Sequence, residues 1–190
     1  MSSEWVSLTD FDPQPTLAGA LVRVRPLQAG DWEALFAVAS DPLIWAIQPA
    51  HDRWHKPVFR RFFEDALGGG GALVVEDQST GRAIGSSRYD LARVEPGEVE
   101  IGWTFLARSH RGGAANRDLK RLMIGHALAH FERCVFLVGP ENWRSRRAME
   151  KVGRRLLPRT HTTLGVRHVI SAIGRDEFEA GPLGGAIPRS

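Results

Sequence analysis

Apolar and polar positions change their rhythm several times along the chain, and each rhythm predicts an element. Residues 20–27, "ALVRVRPL", alternate with a period of two, which predicts a strand. Trp32, Leu35, Phe36 and Ala39 then recur at three- and four-residue spacing, which predicts a helix with Asp31 at its N-cap. A second helix is predicted from Pro57 through Phe59, Phe62, Phe63 and Leu67, and the four glycines at 68–71 end it. Three strand-like runs follow at 72–77, 82–91 and 98–107, separated by "STG" and "PG" turns. In the third, the period of two puts Val99, Ile101, Trp103 and Phe105 on one face and Glu98, Glu100, Gly102 and Thr104 on the other. Leu119, Leu122, Met123, Ala127 and Phe131 form a helical stripe. "VFLVG", 135–139, is a continuous apolar run, as in a strand covered on both faces. A helix capped by Asn142 and stopped by Gly153 comes next, then two strands, "LLPR" and "VRHVISAI".

This order of strands and helices predicts one α/β domain over residues 21–178. Residues 1–20, with Pro13 and Pro15, read as a lead-in, and 179–190 as a flexible tail. The single cysteine, Cys134, excludes an intrachain disulfide and points to a reducing, cytoplasmic setting. Residues 1–10 lack the basic and apolar regions of a signal peptide, and no apolar run is long enough to span a membrane. Lys and Arg exceed Asp and Glu by 25 to 22, a formal charge of +3, too mild to imply a polyanionic partner by itself. Arg144, Arg146, Arg147, Arg154 and Arg155 cluster, but no nucleic-acid-binding motif accompanies them, so a solvated face is expected.

The stretch "HRGGAANRDLKRLM" raises a chemical question. Gly112, Gly113, Ala114 and Ala115 strip side chains from the start of a helix, and Arg111 adds a fixed positive charge. The first turn of a helix presents free N–H groups and a partial positive charge, so an unobstructed start suits a phosphate. A P-loop is absent, because no Lys-Ser/Thr pair follows, and so is the GxGxxG of a Rossmann site. A plain turn explains the glycines equally well until the surrounding order of elements is considered.

In that order the chain resembles the GNAT N-acetyltransferases, particularly their RimJ/RimL-like branch. The resemblance is carried by "VRVRPLQAGDWEAL", "GRAIGSSRYD", "VEIGWTFLARSHRGGAANRDLKRLM" and "VGPENWRSRRAMEKVG". It implies a mixed, mostly antiparallel sheet with splayed central strands, helices on both faces, and acetyl-CoA in the splay. Against the family's Gln/Arg-x-x-Gly-x-Gly/Ala loop, Arg111 fits, whereas Ala114 stands for the first required glycine and Asn116 for the last Gly/Ala. By position, the cofactor residues are Phe105, Leu106, Ala107, Arg111, Gly112, Gly113, Ala114, Ala115, Asn116, Asn142 and Ser145. Asn142 is equally a helix cap.

Acetyl transfer to an amine needs a proton acceptor and a donor for the departing thiolate. The resemblance places Met149 where many relatives carry a tyrosine acid, which leaves Ser145, directly or through water, as the replacement. Glu100 is the first candidate base and Glu98 the second, with a solvated strand face as the alternative for both. His51, Trp54 and His55, in the loop between the first two helices, and Tyr89 are candidates for the acceptor site. Cys134 reads as a small core residue, and the histidines lack a metal-binding pattern. The expected reaction is direct attack by a primary amine, a protein N-terminus or a small molecule, in a monomer or homodimer. A silent acyl-CoA-binding module and a nucleic-acid-binding protein are the rivals.

Overall fold

The computed structural model describes residues 10–142, 153–163 and 165–184. Its strands are β1 (Leu17–Ala18), β2 (Val22–Pro26), β3 (Ala72–Asp77), β4 (Ala83–Asp90), β5 (Glu98–Leu106), β6 (Arg133–Val138), β7 (Arg155–Thr163) and β8 (Val166–Gly174). The helices are α1 (Trp32–Ala39), α2 (Pro42–Trp45), α3 (Lys56–Gly68), α4 (Ala114–Leu128) and α5 (Arg175–Ala180). All eight strands join one sheet in the order β1-β2-β3-β4-β5-β6-β8-β7. Neighbours are antiparallel except β5 and β6, which run parallel because α4 crosses back between them.

Each face of this sheet has its own core. Val22, Val24, Leu73, Val75, Val99 and Ile101 pack against Leu119, Met123, Ile124 and Ala127 of α4. On the opposite face, Ala72, Val74 and Phe105 pack against Trp32, Leu35, Phe59 and Phe63 of α1 and α3. β3 therefore alternates between two cores, which explains why its sequence is apolar at consecutive positions.

The termini contribute more than their sequence suggested. Phe11 lies edge-on to Tyr89 and Phe131, with centroids 5.3 and 4.9 Å away, and β1 extends the sheet beside β2. Leu183, expected in the tail, is buried in the α4-side core. Asp31 occupies the N-cap position of α1 without capping it. Its carboxylate instead accepts from the Gln28 amide and pairs with Arg25.

A buried carboxylate on α4 pins the helix to the sheet. Asp118 Oδ2 accepts the backbone amides of Leu21 and Val22 at 2.8 and 3.1 Å, and Oδ1 accepts Arg121 at 3.0 Å. Burial opposes its charge, but the Leu21 amide, Arg121 and the Val22 amide together hold its pKa below the usual aspartate range. Asp118→Ala should therefore cost about 1–3 kcal/mol at neutral pH, measured by urea unfolding. The contribution is present above the ordinary aspartate pKa and is lost as pH falls through the lowered folded value. The difference between parent and variant should shrink on acidification.

Candidate functional site

The sheet opens between β5 and β6. Their ladder holds for three pairs, Glu98 with Arg133, Val99 with Cys134 and Glu100 with Val135. Beyond these, β5 stays with β4 while β6 follows β8 as far as the Val138–Val169 pair. A bulge in β5 helps the separation. Ser86 faces Phe105 and Arg88 faces Gly102, so Ser87 alone opposes Trp103 and Thr104. Trp103 takes φ of 51°, a left-handed conformation that costs a side-chain-bearing residue about 1–2 kcal/mol. Its ring has the Arg88 and Arg93 guanidiniums 4.7 and 4.5 Å from its centroid, and these contacts offset part of that cost.

The bulge also corrects the alternation expected for this strand. Val99 and Ile101 enter the α4-side core, but Phe105 emerges on the other face, 5.1 Å from the Trp45 ring. One extra residue shifts the period of two by one step, so every later side chain changes face.

The opening is a cavity of about 640 Å³. Gly102, Thr104, Phe105 and Leu106 form one wall, and Phe136, Leu137, Val138 and Gly139 the other. Asn116 and Lys120 rise from α4, while Pro49, Ala50 and Arg53 close in from the loop after α2. At its mouth, Gly112 turns the chain with φ of 74°, and Gly113 takes the N-cap position of α4 without any side-chain cap. A β-carbon on either glycine would meet nothing within 4 Å, so the backbone is open to a ligand. Flanking contacts hold this loop. His110 Nε2 lies 3.1 Å from Asp77 Oδ2, Arg108 pairs with Asp41, and Arg111 Nη1 donates to the Leu43 carbonyl at 2.9 Å.

Of the residues expected to hold a cofactor, Phe105, Leu106, Arg111, Gly112, Asn116 and Asn142 line the cavity. Gly113, Ala114 and Ala115 form the adjacent helix start. Ala107 turns its amide away, donating to the Ile84 carbonyl at 2.7 Å. Ser145 and Met149, with most of the helix expected after Asn142, lie outside the described residues.

The two glutamates have different surroundings. Glu100 lines the cavity at 1% exposure. Arg93 Nη2 donates to its Oε1 at 2.8 Å, whereas Oε2 is buried without a hydrogen-bond partner. Burial pushes its pKa up to about 7, with Arg93 only partly opposing the shift. Gly102 matters to this placement, because a β-carbon there would lie 2.8 Å from Glu100 Oε1. Glu98 is equally buried but lies outside the cavity lining, bound by Arg159 at 2.6 Å. Its carboxylate is committed to an ion pair that ties β7 to β5.

The acceptor candidates do not converge on the cavity. Tyr89 is 3% exposed in the core, donating to the Met123 carbonyl at 2.7 Å. His51, Trp54 and His55 are exposed on the loop, with the Trp54 and His55 rings 3.6 Å apart. Their neighbours Pro49, Ala50 and Arg53 supply the wall instead. Cys134 is fully buried, and burial pushes its thiol up to about 12, which keeps it unreactive.

Two cations at the site escaped the sequence reading. Lys120 Nζ donates to Thr104 Oγ1 at 3.2 Å, and Thr104 in turn contacts Ser87 Oγ at 2.8 Å. Arg154, assigned by sequence to a solvated cluster, is 9% exposed, with its guanidinium carbon 3.3 Å from the Phe136 ring centroid. Lys120 shares that ring at 5.4 Å. One signal was available: Lys120 lies four residues after Asn116, on the same side of α4 as the loop residue. Among the described residues, no group of three or more His, Cys, Asp or Glu is arranged to hold a metal ion. Nor is any helix there long and apolar enough to cross a membrane.

Known proteins share this architecture. A family model described as an acetyltransferase (GNAT) domain matches residues 22–155. A GNAT-family protein of Chromobacterium violaceum superimposes with a TM-score of 0.75 at 19% identity, over 95% of this chain and 96% of its own. A GCN5-related N-acetyltransferase from Brucella melitensis gives 0.71 at 23% identity, over 91% and 86%. Mycobacterium smegmatis RimJ, solved in complex with CoA-disulfide, gives 0.66 at 20% identity, over 90% and 92%. No curated protein sequence matches significantly.

The environment of Glu100 makes a prediction independent of activity. Its folded pKa of about 7 lies above the ordinary 4.5, so its contribution to stability is complete below the lower value and lost as pH rises through the upper. Glu100→Gln abolishes this titration. Between pH 4.5 and 8.5 the variant should gain roughly 3 kcal/mol relative to the parent, measured by urea unfolding at both pH values.

Proposed function

The chain belongs to the GNAT acetyltransferase family, and from that premise we propose that it acetylates a primary amine by direct attack within a ternary complex. Membership implies use of acetyl-CoA as co-substrate. The observation that carries the reading is a continuous one. An uncapped helix start opens onto a cleft between splayed strands, and a buried carboxylate with a free oxygen stands at the inner end.

The residues fit such a ligand. The first-turn amides of α4, at Ala114, Ala115 and Asn116, receive the pyrophosphate, and the open space over Gly112 and Gly113 admits it. Among the described residues the β6-facing edge of β5 has no strand partner from Ile101 onward, which supports pairing of Phe105 and Leu106 with the amide-bearing arm. Asn142, on the opposite wall, adds a polar contact. Acetyl-CoA, when bound, supplies an acyl carbon activated by its thioester. Glu100 accepts, at its unpartnered Oε2, the proton that the amine loses, directly or through water. A pKa of about 7 keeps a useful fraction of this carboxylate ionised at neutral pH without making it too weak a base. Arg93 fixes the other oxygen and orients the group. Ser145 completes the scheme as the proton source for the thiolate.

The finer relationship, to the RimJ/RimL-like branch, is part of the same proposal. It favours a protein N-terminus as acceptor, beside small polyamines and antibiotic-like amines. Met149, in the place of the usual tyrosine acid, favours a second reading as a silent acyl-CoA-binding module. Release of free CoA thiol from acetyl-CoA in the presence of an amine panel decides between them. Turnover supports the enzyme, and binding without turnover supports the module.

Two variants separate the parts. Gly113→Glu puts a carboxylate where phosphate is to sit, so it should abolish the thermal stabilisation given by CoA while moving the unliganded melting temperature little. Unchanged CoA binding would reduce the loop to a turn. Glu100→Gln keeps size and hydrogen-bonding capacity but removes the proton acceptor. It should lower kcat by about 10²–10⁴ and leave the affinity for CoA unchanged. Glu98→Gln is the comparison and should act through stability rather than through the rate.

A further inference from the structure

The cleft has a charge pattern that an acetyl group does not use. Glu100 stands on the sheet face away from α4. Gly102, two residues on, shares its side, and Ile101 between them enters the α4-side core. Lys120 and Arg154 meet at the Phe136 ring, which belongs to the α4-side core. Both line the same cavity as Glu100. The carboxylate and the two cations thus border the opening from opposite faces of the sheet.

Within the described part of the chain these cations have no counter-charge. Among the described residues, no carboxylate forms an ion pair with either one, and Arg154 Nε is buried without a hydrogen-bond partner. Burial lowers the Lys120 pKa to about 7, with Arg154 repelling it further, and brings Arg154 to about 9. A desolvated cation without an anion is costly, and the Phe136 ring compensates only in part. Lys120 lies six residues past the start of α4, about 9 Å along its axis, so it is set deeper than the amides that receive phosphate. The anion that suits it must arrive at the reacting end of the donor. The reacting amine group of the acceptor does not supply it, being itself a cation or a neutral base.

We propose that this cleft selects an acyl-CoA whose acyl chain ends in a carboxylate, held by Lys120 and Arg154. The proposal rests on the acyl-transfer reading above and narrows its donor. The chemistry is otherwise unchanged. The amine nitrogen bonds to the acyl carbon as the carbon–sulfur bond breaks. The amine proton passes to Glu100, and the CoA thiolate leaves and takes up a proton. The carboxylate at the far end of the chain takes no part in bond making, and the product is an amide bearing a new negative charge.

The test compares donors that differ only in that end. Titration with butyryl-CoA and succinyl-CoA, matched in carbon number, reads binding without an acceptor, and free CoA reports the shared part. Malonyl- and glutaryl-CoA vary the length, and kcat/KM for all donors, acetyl-CoA included, is measured with one amine that accepts acetyl. Succinyl-CoA or one of its length variants should bind at least about tenfold more tightly than butyryl-CoA, with kcat/KM in the same order. Lys120→Met should erase that preference and leave free CoA affinity unchanged. Arg154→Lys, which keeps the charge but loses the ring contact, should weaken it. The proposal is overturned if neutral donors bind as well as every carboxylate-bearing one, or if Lys120→Met lowers all donors by the same factor, which would assign the cation to the thiolate. In either case turnover of acetyl-CoA leaves the acyl-transfer reading standing. Failure of free CoA and every thioester to bind overturns both.

Discussion

The parallel ladder between β5 and β6 ends after three pairs, and the site depends on that interruption. A continuous sheet would satisfy every backbone group and leave no room for a ligand inside the fold. Here β5 keeps its β4 partner and β6 its β8 partner, so each strand remains anchored by the neighbour on its outer side. The gap is affordable because packed cores hold both halves, with α4 under one face and α1 and α3 over the other. The local strain collects at one residue, Trp103, and two arginines flank its ring. Irregular backbone, a free strand edge and a cavity therefore occur together because they have one cause.

The same enclosure governs the charges. Loss of water raises the pKa of Glu100 and lowers that of Lys120, so two groups of opposite ordinary behaviour both titrate near neutrality. They remain distinct because the sheet separates them. Arg93 faces Glu100 and supplies one hydrogen bond, leaving the second oxygen free. Lys120 is tied to Thr104, the second residue of the bulge. A carboxylate on one side of the cleft and cations on the other form an arrangement with direction, which the proposed reaction would use to take a proton from one partner and hold charge on the other.

Most of the scaffold was legible in the sequence because its elements are patterned by burial. The two-residue alternation marked β2, and the helical spacing marked α1, α3 and α4. The side-chain-poor stretch at 112–115 correctly located the start of α4. What escaped has a common physical origin in tertiary placement. The bulge at Trp103 moves Phe105 to the other core, and no local spacing announces it. Arg154 sits within a basic run, where composition suggests solvent, yet Phe136 reaches it from β6. Tyr89, the chain's single tyrosine, attracted a functional reading, but its hydroxyl is used by the Met123 carbonyl. Glu98 and Glu100 share a strand face, but Arg159 engages Glu98 outside the cavity, whereas Arg93 leaves one oxygen of the cavity-lining Glu100 unpartnered.

The loop's departures from the family pattern also follow from its backbone. The pattern has a glycine at the position of Ala114 and a glycine or alanine at that of Asn116. Glycine is required only where the chain adopts a left-handed angle or where a side chain would block the approach. Here the left-handed turn is made at Gly112, and α4 begins at Ala114. Among the described residues only Trp103 combines a side chain with positive φ, so Ala114 and Asn116 carry no such demand. A methyl group at Ala114 is compatible with a helical start, and Asn116 is one of the residues that line the cavity. The proposed anion site is therefore defined by the backbone direction that Gly112 permits and by the first-turn amides that follow, while His110, Arg108 and Arg111 hold its flank against β3 and α2. Such a loop tolerates changes in its side chains as long as that direction is kept.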